Sequence, residues 1–423
     1  MNPRIDYHNF PDRNILCVDM KSFYASCAAL TLGLDPISSY VAVVADVNRP
    51  GSVVLAASPA LKRDYGIRTG SRLFEIPDVS DIHLVSAQMN LYLDVSLEIT
   101  RLFHKYVPKE SIHTYSVDES FLEVDGTEKL WGSAEEVANL IIQDIKETFG
   151  LVATIGIGPN MLMAKLCLDL EAKKQGIARW TYDDIPQKLW PVSPLSKMWG
   201  IGSRLERRLN KMGITTVGEL AHYPLERLEK AFGVMGNQLY YHAHGIDLSE
   251  IGAPILAGQK SYGKSQILLQ DYPNPKEVSH VILEMCEEVA WRARSERKAG
   301  RTISLGIGYS KHEGGGGFYR SISIEHPTNI TMEIYRACQY LFQKHYEEKT
   351  VRKITIALTN ICDDRYVQLD LLAHDRIKER KLGYTIDSIR EKYGKDALLR
   401  AVSFTDAGTA LTRSKLVGGH YAE

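Results

Sequence analysis

The sequence predicts an α+β protein of several domains, and three observations carry that prediction. The chain has 423 residues, 44% of them hydrophobic, which is more than one core ordinarily holds. A β-α-β-β-α-β order of elements occurs twice: once from residue 14 to 157 when an insertion at 31–87 is set aside, and again from 260 to 359. Between them lies a helical stretch that opens on Gly-Ile-Gly (200–202), with a proline-marked boundary at 186–194 and a glycine- and proline-containing linker at 248–260.

Composition excludes several classes. The formal charge is −1, so net charge gives no support to nucleic-acid binding, and any such surface must segregate its basic residues. The six cysteines form no Cys-x-x-Cys pair, which argues against a zinc site and a disulfide framework and fits a reduced, cytoplasmic setting. The N-terminus lacks an apolar signal region, and no apolar run is long enough to span a bilayer, so no membrane partner is expected.

In order, residues 14–19 read as a buried strand that ends on a carboxylate, Asp19. Residues 40–57 read as two β-rich runs joined by a turn, followed by a short basic segment with Lys62 and Arg63. Apolar spacing predicts a helix over 89–106. Residues 115–124 read as a hairpin with Asp118 and Glu119 at its tip. Alone, an Asp-Glu pair is ordinarily a solvated turn. Flanked by apolar residues, two adjacent carboxylates repel and resist desolvation, and a hard cation relieves both problems. If this strand neighbours residues 14–19, three carboxylates converge on one sheet edge, as a two-metal phosphoryl-transfer site needs. Ser133 with Glu136 is a capping box that opens a helix over 133–149, and 151–157 is a strand.

The stretch 195–220 reads as a helix-hairpin-helix. Gly200 and Gly202 allow a tight hairpin whose amides can hold a phosphate, and Arg204, Arg207, Arg208 and Lys211 make it basic. A polar, basic strand from 260, a helix over 275–298, strands at 302–309 and 318–324, a helix over 330–347 and a strand at 353–359 follow. The tail, 375–423, is charged, has a helix around 385–393, and suggests no chemical role.

The segment Val18-Asp19-Met20-Lys21-Ser22-Phe23-Tyr24-Ala25-Ser26-Cys27, followed later by Ser116-Val117-Asp118-Glu119-Ser120-Phe121, resembles the two palm motifs of Y-family DNA polymerases. The likeness is nearest the UmuC-like branch, the catalytic subunit of bacterial polymerase V and its Gram-positive relatives, and it extends over nearly the whole chain. The resemblance implies a right-hand polymerase with a ferredoxin-like palm (14–30 and 88–178), small fingers (31–87), a helical thumb (179–247), an α+β little finger (258–365), and a clamp-binding motif with a tail (366–423). It implies template-directed, error-prone translesion synthesis in DNA damage tolerance, within an SOS response. Primer-template DNA and deoxynucleoside triphosphates are the expected partners, and a UmuD-like accessory subunit is left open.

The site residues carry over one by one. Asp19, Asp118 and Glu119 are catalytic and, with the Met20 carbonyl, hold two Mg²⁺ ions. Tyr24 is a steric gate against a 2′-hydroxyl, with Phe23 beside the nucleotide. Lys62 or Arg63 meets the triphosphate, as do Lys165 and Lys173, with Lys174 an alternative to Lys173. Gly200, Gly202 and Arg204 in the thumb, and Lys260, Lys264 and Arg301 in the little finger, contact DNA, with a steep salt dependence. Gln368, Leu369, Leu371 and Leu372, in Gln-Leu-Asp-Leu-Leu, resemble the bacterial sliding-clamp peptide. Three rivals remain: a polymerase IV-like enzyme, from which Ala60 points away; a palm-type nucleotidyl cyclase; and a catalytically silent DNA-binding scaffold.

Overall fold

Strand β1 (Ile15–Met20) is apolar on both faces, and in the computed structural model Ile15, Leu16, Cys17 and Val18 are wholly buried. The structure describes residues 5–49, 51–253, 260–364 and 374–422. They fall into two units, Met1–Pro254 with His420–Glu423, and Ile255–Gly419.

In the first unit Ser22, in left-handed backbone, turns the chain from β1 into helix α1 (Phe23–Thr31). An insertion then builds its own three-stranded sheet from β2 (Tyr40–Val44), β3 (Val54–Ala57) and β4 (Ile82–Ser86), in the order β3-β2-β4. Helix α2 (Pro59–Tyr65) follows β3, capped by the Ser58 hydroxyl, which accepts from the Leu61 amide. After α3 (Met89–Phe103) come β5 (Ile112–Thr114), β6 (Glu119–Glu123), a short α4 (Glu128–Trp131) and α5 (Ala134–Phe149), which opens on the Ser133/Glu136 capping box. Strand β7 (Ala153–Gly158), α6 (Met161–Cys167), a π-turn (Leu168–Ala172), α7 (Lys173–Gln175) and β8 (Ile177–Arg179) complete the sheet β5-β6-β1-β7-β8. Without the insertion and the edge strand β8, this is the ferredoxin-like order. Gly156 lets α6 sit directly on β7: a Cβ there would lie 2.3 Å from the Leu168 amide nitrogen.

Helices α8 (Ser203–Asn210), α9 (Val217–His222), α10 (Leu225–Phe232) and α11 (Val234–Ala243) complete the unit. Buried His244 packs edge-on against Tyr240, and its Nε2–H donates to the Ala221 carbonyl at 3.0 Å. Burial holds its imidazole down at about 4, with His222 adding to the effect and the Ala221 hydrogen bond opposing it. The unfolded chain takes up a proton as pH falls through 6.5 and the folded chain does not, so stability is lost between pH 6.5 and 4. The loss should approach about 3 kcal/mol, and His244→Gln should flatten it in urea melts.

The second unit is a four-stranded antiparallel sheet of β9 (Tyr262–Tyr272), β10 (Lys298–Tyr309), β11 (Gly317–Thr328) and β12 (Val351–Asp363), in the order β11-β10-β12-β9. Helices α12 (Pro275–Ser295) and α13 (Thr331–His345) cover one face, packing on Ile303, Leu305, Ile307, Ile354, Ile356 and Leu358. The element order matches that of the first sheet, but the pairing differs, because here the last strand lies between the first and second. The other face presents the alternate residues: Thr302 against Ser323, Ser304 against Ser321, Gly306 against Tyr319, and Thr355 against Ser265. The first, second and fourth of these pairs are joined hydroxyl to hydroxyl at 2.8–2.9 Å.

The tail as far as Gly419 belongs to this unit. Helix α14 (His374–Tyr393) begins well before residue 385, where the sequence suggested a helix. Arg294, with a side chain only 2% exposed, grips Asp387 of α14 through Nε (2.6 Å) and Nη2 (3.0 Å). On α12, Glu287 takes Arg390 and Arg400, Glu288 takes Arg413, and Glu284 accepts from the Thr409 and Ala410 amides.

Candidate active site

The antiparallel register of β1 and β6 sets Asp19 opposite Glu119, and the Met20 amide donates to the Asp118 carbonyl at 2.9 Å. The strands that carry the three carboxylates are therefore neighbours. Their side chains nevertheless diverge. Asp118 accepts from the Ser116 hydroxyl at 2.7 Å. Buried Glu119 turns inward, to Lys165 Nζ at 2.8 Å and the Cys17 thiol at 3.2 Å. Asp19 lies 3.2 Å from Lys173 Nζ. Among the described residues no three His, Cys, Asp or Glu side chains gather closely enough in this arrangement to hold a metal. Like charges separate toward nearby lysines and a hydroxyl.

The donor set still fits a hard divalent cation. It is oxygen only and carries excess negative charge. Burial pushes the Asp19 carboxyl up to about 6; Lys173 pulls it down, and Asp118 and Glu119 push it further up. That is the condition a bound cation relieves. Burial alone would lower the Lys165 ammonium, but Glu119 and Asp169 hold it above its ordinary range. The Cys17 thiol is raised by burial and by Glu119.

A cleft of about 430 Å³ opens beside Asp19, lined by Lys21, Ser22, Lys62, Arg68, Thr154 and Lys173, among others. Lys62 Nζ donates to the Ser22 hydroxyl at 2.7 Å. Burial lowers its pKa, with Lys173 and Lys21 adding and Asp19 opposing. Arg63 also borders the cleft, but its side chain is 67% exposed and paired with Asp64. Lys174 is exposed and lines no part of the cleft. Lys21, Arg68 and Asp169 were not singled out from the sequence. Lys21 lay inside the quoted motif, and only the fold brings Arg68 to the cleft.

Phe23 is buried, a core position. Tyr24 is half-buried and stacks on the fully buried ring of Tyr92 at 4.3 Å and 13°. Burial raises its phenol, as does the nearby Asp118 charge.

Gly200 has φ +90°, and a Cβ there would meet nothing within 4 Å, so the backbone and not space requires glycine. Gly202 is the N-cap of α8 at φ −87°. Arg204 is exposed, whereas Arg208 donates to the Ala231 carbonyl and lies over Phe232. In the second unit Lys264 lies on the helix-covered side, 2.9 Å from Glu288, and is not in the open-face row expected of a DNA contact. Alternation along a strand fixes two faces but does not say which one the helices cover. Lys260 pairs with Glu296, and Arg301 donates to the Ile324 carbonyl at a β-bulge. Gln368, Leu369, Leu371 and Leu372 lie outside the described residues. Among the described residues no helix is long and apolar enough to cross a membrane.

Comparison with known proteins agrees with this geometry. Residues 18–169 match the impB/mucB/samB family, 259–371 match its C-terminal domain, and 196–247 match the DNA polymerase-iota thumb domain. The chain is 62% identical over 418 residues to UvrX of Bacillus subtilis (strain 168), named for UV-damage repair, covering 98% of this chain and 99% of that one. It is 37% identical over 417 residues to DNA polymerase IV 2 of the same organism, covering 97% and 99%. A solved Y-family DNA polymerase chimera of Dbh and Dpo4 shares the fold, with TM-score 0.64, 21% identity, and coverage of 83% of this chain and 99% of that one. The chain therefore belongs to the impB/mucB/samB family, the Y-family of translesion DNA polymerases.

Proposed function

We propose that this polymerase performs template-directed nucleotidyl transfer at the edge where β1 and β6 pair, as a damage-tolerant enzyme of DNA repair. One observation carries the reading: Asp19 faces Glu119 across the pair, beside a cleft lined by Lys62 and Lys173. Asp19, Asp118, Glu119 and the Met20 carbonyl would hold two Mg²⁺. When bound, these ions lower the pKa of the primer 3′-hydroxyl and neutralise the triphosphate and the leaving pyrophosphate. The chain's own residues do the rest. Lys165 supplies the countercharge to Glu119 inside the core. Lys62 and Lys173, with Arg63 at the rim, supply point charges to the triphosphate. Tyr24, braced by Tyr92, fills the space beside C2′ and excludes a ribose hydroxyl.

By the same reading, 14–30 with 88–178 serves as palm, 31–87 as fingers, 179–247 as thumb and 258–365 as little finger. The Gly200–Gly202 amides and Arg204 would hold a DNA phosphate without reading sequence. Gln368, Leu369, Leu371 and Leu372 would dock in a sliding clamp, and the UmuD-like subunit and a cytoplasmic setting belong to the same reading. The likeness to a protein named DNA polymerase IV 2 favours a second reading, a polymerase IV-like enzyme that acts without such a subunit.

Primer extension on undamaged and abasic templates with Mg²⁺ tests the centre. Asp118→Ala/Glu119→Ala should slow extension by a factor on the order of 10³ relative to wild type. Extension by both proteins would remove the carboxylates from the mechanism. Extension by neither, with clamp and accessory protein supplied, would favour the silent scaffold.

A further inference from the structure

Five charged side chains alternate in sign along one line of the site. Glu119 meets Lys165 at 2.8 Å, Lys165 meets Asp169 at 3.2 Å, Asp169 meets Lys173 at 2.8 Å, and Lys173 meets Asp19 at 3.2 Å. Asp169 is the middle member and the one carboxylate of the line that touches both lysines.

The line depends on the π-turn. Lys165 and Asp169 are four residues apart and share a helix face. Lys173 is eight residues past Lys165, which in a regular α-helix falls about 80° off that face. The wider turn at Leu168–Ala172 absorbs one residue, so Lys173 stands where a seventh residue would, back on the stripe. The close seating of α6 on Gly156 and Gly158 fixes which way the stripe points. Lys174, next in sequence, does not line the cleft.

We infer that Asp169 is a positioning residue for the incoming nucleotide. It holds Lys173 at the cleft mouth, so that the ammonium can leave Asp19 for the triphosphate without leaving the site. The four other members of the line are carboxylate or lysine groups already given a role in the proposed reaction, and Asp169 completes the line without touching substrate itself. This rests on the proposed role of Lys173.

Charge alone and positioning predict opposite signs. Asp169→Asn removes a negative charge near the cleft, so simple electrostatics makes an anion bind tighter. Positioning makes it bind more weakly, because Lys173 loses its tether. Calorimetry of the full chain with inorganic tripolyphosphate in EDTA separates the two. Lys173→Met should weaken binding roughly tenfold, as expected for a lost charge-assisted contact. Asp169→Asn should weaken it severalfold, and Asp169→Asn/Lys173→Met should be no weaker than Lys173→Met alone. Asp169→Glu should restore binding toward wild type, which distinguishes a local role from damage to the fold. In single-nucleotide insertion, Asp169→Asn should raise the nucleotide KM and largely spare kcat. Unchanged or tighter binding by Asp169→Asn overturns the inference and leaves the Lys173 reading intact. Unchanged binding by Lys173→Met overturns both.

Discussion

Asp19→Asn is expected to give a folded protein that barely extends primers and yet is more stable than wild type above pH 6 in metal-free buffer. Asp19 is half-buried near the end of β1, opposite Glu119, with Asp118 just before that residue on the neighbouring strand. Its carboxyl is held near 6, against an ordinary 3.8, by burial first and by its two acidic neighbours after the opposing Lys173. A raised carboxyl means that the folded chain binds the proton more readily than the unfolded chain. Above pH 6 both states are ionised and the full cost of about 3 kcal/mol is present; as pH falls from 6 toward 3.8 the cost disappears. Asparagine keeps the shape and removes the charge, so the gain in thermal midpoint should be largest at pH 7–8 and absent near pH 4. Extension with Mg²⁺ should fall by a factor on the order of 10³. A mutant less stable than wild type at pH 8, or one that extends normally, would refute the strained-ligand account.

Arg294→Met should be the most damaging single change in the second unit. The guanidinium is enclosed by Asp387, by the Asn329 carbonyl at 2.7 Å and by the backbone of α14, where a Cβ at Gly383 would come within 3.2 Å of it. Removing the arginine leaves Asp387 charged and nearly enclosed without its partner, at about 3–5 kcal/mol. The double variant Arg294→Met/Asp387→Leu should recover most of that loss, because no stranded charge remains. Urea unfolding of the three proteins decides it. A neutral single variant, or a double variant as unstable as the single, would mean that the tail is held by its other contacts.

Much of the first unit was legible in the sequence because it is written in local signals. An apolar run ending on Asp19, the flanked Asp118-Glu119 pair and the Ser133/Glu136 box each declare an element without reference to the rest of the chain. The tail was not legible, for a definite reason. Arg376, Arg390, Arg400 and Arg413 look like a solvated surface in sequence, and their partners Glu287, Glu288 and Glu333 look the same. Two charged faces that cancel each other leave no hydrophobic period to detect. The second sheet shows another limit. Its element order was evident, but pairing order is set by long-range contacts, and alternation around Lys264 does not say that its side chain meets Glu288 on the helix-covered side. The choice between Lys173 and Lys174 was likewise undecidable without the π-turn.

The uncovered face of the second sheet bears on how the enzyme would move. At its described paired positions it offers mostly Thr302, Ser304, Ser321, Ser323, Ser265, Thr355 and glycines, with Tyr319, Ile267 and Lys353 among them. A sugar-phosphate strand lying there would meet short hydroxyls that exchange one partner for the next at little cost, and few fixed charges that must be pulled away. On the proposed reading such a surface would act as a low-friction rail, keeping the duplex aligned while it advances by one nucleotide per cycle, and the steep salt dependence would come from the basic residues elsewhere and not from this face.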